Sequence, residues 1–295
     1  MKKISINIGG SSYREQHGID KVLELCKKSG FDAIDFNLEC YKLEDTIYGG
    51  SEDAFCSHFH SIAKKAKELE LEIHQTHGRC RTCTPDPTQT AYFFEVCEKD
   101  FKAASILGSS CCVVHPVSNA QWGNLPKEEM RSISQKMFDT IAPFADKHRM
   151  RIALETCGAA IVDGNRTLAF FGNPVEFKRQ FEKIPTNYKT ICLDSGHVHE
   201  VGSFGVPPVE EVIRMLGKDI SVLHLHDNCG THDDHQLPGL GKIRWPNVFD
   251  ALDEIGYDGT YNIEVSPYLY GGLYAEFMEF AGKYIRRFVD GRGVV

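Results

Sequence analysis

No apolar run in this chain approaches the ~20 residues that a helical membrane span requires, which excludes an integral helical membrane protein. Met1-Lys2-Lys3 leads into the short alternating segment Ile4 to Ile8 and not into the apolar stretch of a secretory signal, so the expected compartment is the cytoplasm. Long basic runs are missing and the net charge is −8, which argues against a partner chosen for its own negative charge, nucleic acid included. No G-x-G-x-x-G follows the first predicted strand, so the main sign of a dinucleotide-binding fold is absent. Linkers and low-complexity segments are lacking too, and a single domain over residues 1–295 is expected. Cysteine is not scarce: there are eleven, scattered through predicted strands and helices, as free thiols in a reducing compartment would be. The one close pair, Cys80 and Cys83, lacks the second pair that a structural zinc site would need.

What the chain does have is one unit read eight times. Short β-type runs occur at Lys3 to Ile8, Ala33 to Leu38, Glu72 to His77, Ser110 to Val117, Arg151 to Cys157, Lys189 to Asp194, Ser221 to Asp227 and Thr260 to Val265. Helical patterns alternate with them, near 18–29, 52–70, 90–107, 127–148, 174–183, 208–217, 246–255 and 272–289. In the second of these, Phe55, Phe59, Ile62, Ala63 and Ala66 share one face. Gly30, Gly108 and Gly256 stand where a helix should stop. Eight strands alternating with eight helices imply a parallel sheet, and this length fits a closed (β/α)8 TIM barrel better than an open doubly wound sheet. The longest connections, around 78–90, 118–126, 157–173 and 228–245, all follow strands, at the end of a barrel where active sites are built.

Polar residues gather at that same end. His74 and His77 end the third strand, His115 the fourth and Glu155 the fifth. Asp194 with His197, then His224, His226 and Asp227, then Glu264 end the sixth, seventh and eighth. A single Glu there can cap a loop, and a single His can be a hydrogen-bonded core residue. Six successive strands ending alike are not explained that way, since a buried carboxylate is costly unless paired or bound to metal. The mixed imidazole and carboxylate donors suit zinc, manganese, iron or cobalt better than calcium.

Ala153-Leu154-Glu155-Thr156, Cys192-Leu193-Asp194-Ser195-Gly196-His197 and His224-Leu225-His226-Asp227-Asn228 resemble the xylose-isomerase-like barrel superfamily. Asp233-Asp234-His235 with Leu237-Pro238-Gly239-Leu240-Gly241, and Asn262-Ile263-Glu264, carry the same resemblance, which is good from the third strand onward and poor over the first two. It implies a metal held by Glu155, Asp194, His224 and Glu264, with Glu155 and Glu264 also serving as the acid–base pair. His224 is preferred to His226 because an acidic residue, Asp227, stands three positions later; His197 then faces substrate, and His226 takes the place of a residue that faces substrate or supports the ligands from behind. The endonuclease IV branch of the superfamily has a longer ligand set, and by that resemblance His77, His115, His197, Asp233 and His235 are candidates for a second or third metal. One ion is the first expectation.

The reaction so implied is isomerisation or epimerisation of a sugar, sugar acid or cyclitol, by proton transfer next to a carbonyl through an enediolate. The alternative is a multi-zinc phosphodiesterase acting on abasic DNA. A barrel retained only for binding would have broken ligands, whereas this set reads as complete. Arg79, Arg81, Lys242 and Arg244 are candidates for holding an anionic group. Tyr268, Tyr270, Gly271 and Gly272 are candidates for a pocket wall or a contact between subunits, since related barrels form dimers or tetramers.

Overall fold

A computed structural model describes residues 1–9, 12–265 and 272–294. Its strands are β1 (Ile4–Ile8), β2 (Ala33–Asn37), β3 (Glu72–His77), β4 (Cys111–Val114), β5 (Arg151–Glu155), β6 (Ala159–Val162), β7 (Asn165–Leu168), β8 (Lys189–Asp194), β9 (Ile220–His224) and β10 (Tyr261–Ile263). Eight of them form one parallel sheet in the order β10-β1-β2-β3-β4-β5-β8-β9. A parallel bridge between Leu225 and Ile263 joins its last strand to its first and closes the barrel. All eight expected strands and all eight expected long helices are present within a few residues of the positions read from periodicity.

The pair β6 and β7 is the addition. It is an antiparallel hairpin inside the connection expected at 157–173, turning on Asp163 and Gly164, both at positive φ (50° and 77°). An Asp-Gly between two β-type runs is the usual signature of such a turn.

Period-two alternation explains both the core and the rim. Ile6, Ile34, Cys112, Ile152, Leu193 and Leu223 point outward into the large core beneath the helices. Cys111, Val113, Ala153, Cys192 and Val222 form a separate cluster of small side chains inside the barrel. Two residues further along each strand, the same inward face reaches the open end. Val113 thus leads to His115, Ala153 to Glu155, Cys192 to Asp194, Val222 to His224 and Asn262 to Glu264. A barrel interior plugged by small side chains below and opened to polar ones above is therefore written into the strands themselves.

The eleven cysteines are free thiols. No helix among the described residues is long and apolar enough to cross a membrane.

Candidate metal centre

Four strand ends bring Glu155, Asp194, His224 and Glu264 together. His224 Nδ1 lies 3.0 Å from Glu155 Oε1, 3.1 Å from Glu264 Oε2 and 4.0 Å from Asp194 Oδ2. Glu155, His224 and Glu264 form one group of donors with His77, all within 4.8 Å of one another, while Asp194 joins Glu155 in a second such group and Glu264 in a third. Asp194 does double duty: its Oδ1 accepts from the His197 backbone N–H at 2.6 Å, capping the helix Ser195–Glu200 that begins on it.

The residues assigned to further metals or to substrate flank this quartet on two sides. His115 Nε2 is 2.9 Å and His77 Nε2 3.6 Å from the other carboxylate oxygen, Glu155 Oε2. On the opposite flank His197, His226, Asp233 and His235 form a group of donors within 4.8 Å of one another. There Asp233 Oδ2 is 3.0 Å from His235 Nε2 and 3.4 Å from His197 Nε2, while His226 Nε2 reaches Asp194 Oδ1 at 2.9 Å. The His226 ring lies against backbone that only glycine allows, because a Cβ on Gly196 would stand 1.9 Å from it.

These donors fit a divalent cation. His77, His197 and His235 each donate Nδ1–H to a backbone carbonyl (Gly78, Thr156 and Glu264), which leaves Nε2 turned to the rim. His224 is fixed the other way round: Nε2–H donates to Asp35 Oδ2 at 3.1 Å, and Nδ1 faces the carboxylates. Glu155 Oε2 and His115 Nε2 are buried without a hydrogen-bond partner. Burial opposes charge throughout, yet His115 and His224 hold the Glu155 carboxyl well below its ordinary range, and Asp194 and Asp233 push His197 well above its own. Against the same burial penalty, the Asp233 hydrogen bond raises His235 to about 9.

Asp35, on β2, was invisible in the sequence as a site residue. It is fully buried, and its Oδ2 also accepts from Asn7 Nδ2 at 2.8 Å and Gln75 Nε2 at 3.1 Å. Carboxylates that orient a ligating imidazole commonly contribute 10–100-fold to affinity. Asp35→Asn is therefore expected to weaken metal binding by roughly 10–100-fold, measured by chelator competition; an unchanged affinity would remove Asp35 from the site.

Three of the candidate anion-binding residues are placed as follows. The Arg79 guanidinium is taken up by Asp100, through Nε and Nη2 at 2.9 Å each, and by the Glu39 carbonyl at 2.9 Å, so it is a structural tie between the third loop and the helix Pro87–Leu107. Arg244 pairs with Glu210 at 3.0 Å, and Lys242 is exposed. None of the three lines the cleft beside the histidines. His74 also turns from the rim, to Glu72 at 3.3 Å. Tyr268, Tyr270 and Gly271 lie outside the described residues.

That cleft, about 460 Å³, is lined by His115, His197 and Asp233 from the donor groups, by Val117 and Ile161, and by Arg166. Arg166 is the one Lys or Arg among its described lining residues, and its Nη2 is held by Glu200 Oε2 at 2.9 Å and the Glu200 carbonyl at 2.7 Å.

Comparison with known proteins agrees with the fold. An inosose isomerase of Bacillus velezensis is 23% identical over 275 residues, 89% of this chain and 88% of that one. A probable endonuclease 4 of Pediococcus pentosaceus is 27% identical over 174 residues, 53% of each. Two uncharacterised proteins, from Methanocaldococcus jannaschii and Sinorhizobium fredii, are each 26% identical, over 67% and 44% of this chain; the matched parts span only 64% and 38% of their lengths. Among solved structures, the IolI protein with a bound zinc atom superposes with a TM-score of 0.75 at 20% identity, over 100% of this chain and 99% of that one. The model of the xylose isomerase-like TIM barrel family matches residues 23–279, and the chain belongs to that family.

Proposed function

We propose that the protein is a divalent-metal-dependent isomerase or epimerase of a polyhydroxy ketone, a sugar or cyclitol. The observation that carries this reading is the convergence of the Glu155, Asp194 and Glu264 carboxylates on His224 Nδ1, beside a cleft of small-ligand size. The inosose isomerase relative, matched along most of both chains, supports the substrate class. The pairing of Arg166 with Glu200 favours a neutral substrate over a phosphorylated one or a sugar acid, since no unpaired cation lines the described cleft. Zinc, manganese, iron and cobalt all suit the donors.

A cation held by the quartet would polarise the substrate carbonyl and lower the barrier to removing the neighbouring carbon's proton. The chain's own residues do the rest. Glu155 and Glu264 both lie among histidines that favour their carboxylate forms; one carboxylate takes the proton, and the other, once it has gained a proton from solvent, delivers that proton back. Return to the same carbon gives an epimer, and to the adjacent one an isomer. Val117, Ala159 and Ile161 supply an apolar wall for the C–H surface of the substrate, and the imidazole of His197 supplies a hydrogen bond to one of its hydroxyls.

A second reading, phosphodiester cleavage of abasic DNA by a multi-metal centre, is favoured by the group His197, His226, Asp233 and His235 next to the quartet. The net charge of −8 weighs against it. The two readings separate in one pair of assays on metal-loaded protein: turnover of a panel of neutral ketoses and cyclitol ketones, and cleavage of an abasic duplex at low salt. The first is expected to be positive and abolished by chelation; cleavage of the duplex alone would replace it with the second.

A further inference from the structure

The sulfur of Cys80, a residue three positions after His77, lies within 4.8 Å of the ligand nitrogens of both His77 and His115. Its partner in the C-x-x-C, Cys83, is buried in the core with its carbonyl bound to Trp122 Nε1 at 2.8 Å, so the two cysteines are not a zinc pair. Beside Cys80 is the orphaned oxygen of the site. Glu155 Oε2 and His115 Nε2 stand 2.9 Å apart, and neither makes a hydrogen bond. Glu155 is only 1% exposed, and such a buried acceptor is costly unless a charged group is bound beside it. Donors on a tetrahedral zinc stand about 3.5 Å apart, and the Glu155–imidazole separations of 2.9 and 3.6 Å bracket that distance.

We propose that Cys80 is the thiolate ligand of a second metal position, completed by His77, His115 and Glu155 Oε2, and that this position selects zinc. It rests on the reading of the rim as a metal centre, with Glu155 as the bridge. The quartet offers three carboxylates and one imidazole, a set that admits several metals; a thiolate with two imidazoles is softer and discriminates against manganese and magnesium. The thiol donates to Glu39 Oε2 at 3.4 Å. A bound dication takes that proton's place, as coordinated thiols are deprotonated outright.

The test is metal loading of the full chain with Cys80→Ser beside the parent, read by spectroscopy and metal content, with circular dichroism to show that both are folded. Cobalt(II)-loaded parent protein is expected to show a near-ultraviolet sulfur-to-cobalt charge-transfer band that Cys80→Ser lacks. The variant is also expected to lose one of its zinc ions while keeping manganese at the quartet. If the parent binds metal but shows no such band, or if Cys80→Ser retains the band and its full zinc content, the thiolate position is overturned and the quartet stands. If the parent binds no metal at all, both readings fall.

Discussion

Glu155→Gln is expected to lower turnover of the polyhydroxy ketone by about 10³-fold or more while leaving the barrel folded, since one positioned acid–base group alone contributes about 10²–10⁴-fold. The two oxygens of Glu155 face different partners, with Oε1 lying 3.0 Å from His224 Nδ1 and Oε2 lying 2.9 Å from His115 Nε2. The amide keeps the shape but removes the charge, and it turns an NH2 toward a nitrogen whose lone pair is needed for metal. Metal content should therefore fall together with rate. Glu264→Gln is expected to cost a similar factor, and the double variant little more than either single one, because residues that act as a unit are not additive. Initial rates, metal content by emission spectroscopy and circular dichroism on the same samples check this. Retention of activity within tenfold of the parent would remove Glu155 from the chemistry.

The second large effect is on stability. Asp227 is fully buried and accepts four hydrogen bonds: from the backbone of Asn228 at 2.9 Å, Gly239 at 3.0 Å and Ile243 at 3.2 Å, and from Trp245 Nε1 at 2.7 Å. It is the internal frame of the loop that carries Asp233 and His235. Gly241 belongs to the same device, since a Cβ there would stand 2.2 Å from Asp227 Oδ1. Asp227→Ala leaves four donors without an acceptor and is expected to cost about 3–5 kcal/mol. That corresponds to a melting temperature lower by roughly 10 °C for a chain of this size. Asp227→Asn keeps one oxygen and should fall between. Thermal denaturation decides; a shift of only a degree or two for the alanine variant would mean that the loop is held by something else.

Much of this was legible because the relevant information is periodic or local. Alternation at period two placed the strands, and it also carried the rim, since a ligand two residues beyond an inward-facing Val222 or Cys192 must stand at the mouth of a closed barrel. Residues whose roles depend on distant partners were not legible. Arg79 reads as a free cation after a strand until Asp100, a turn and several helical residues later, takes its guanidinium. Asp35 is one acid in a short β run, and only barrel closure sets it against His224 from the far side of the sheet. The hairpin is a different case: Asp163-Gly164 between two β-type runs was readable, but the surrounding loop masked it.

The most direct measurement is proton exchange with solvent. Protein loaded with zinc, manganese or cobalt is incubated in D2O with neutral ketoses and a cyclitol ketone, and the carbon next to the carbonyl is followed by NMR, before and after chelation. Deuterium is expected to enter that carbon in at least one substrate, to vanish when the metal is removed and to return when it is restored. Exchange that persists through chelation, or its absence across the panel in protein carrying its full metal content, would contradict the assignment of Glu155, Asp194, His224 and Glu264 as a metal centre for proton transfer.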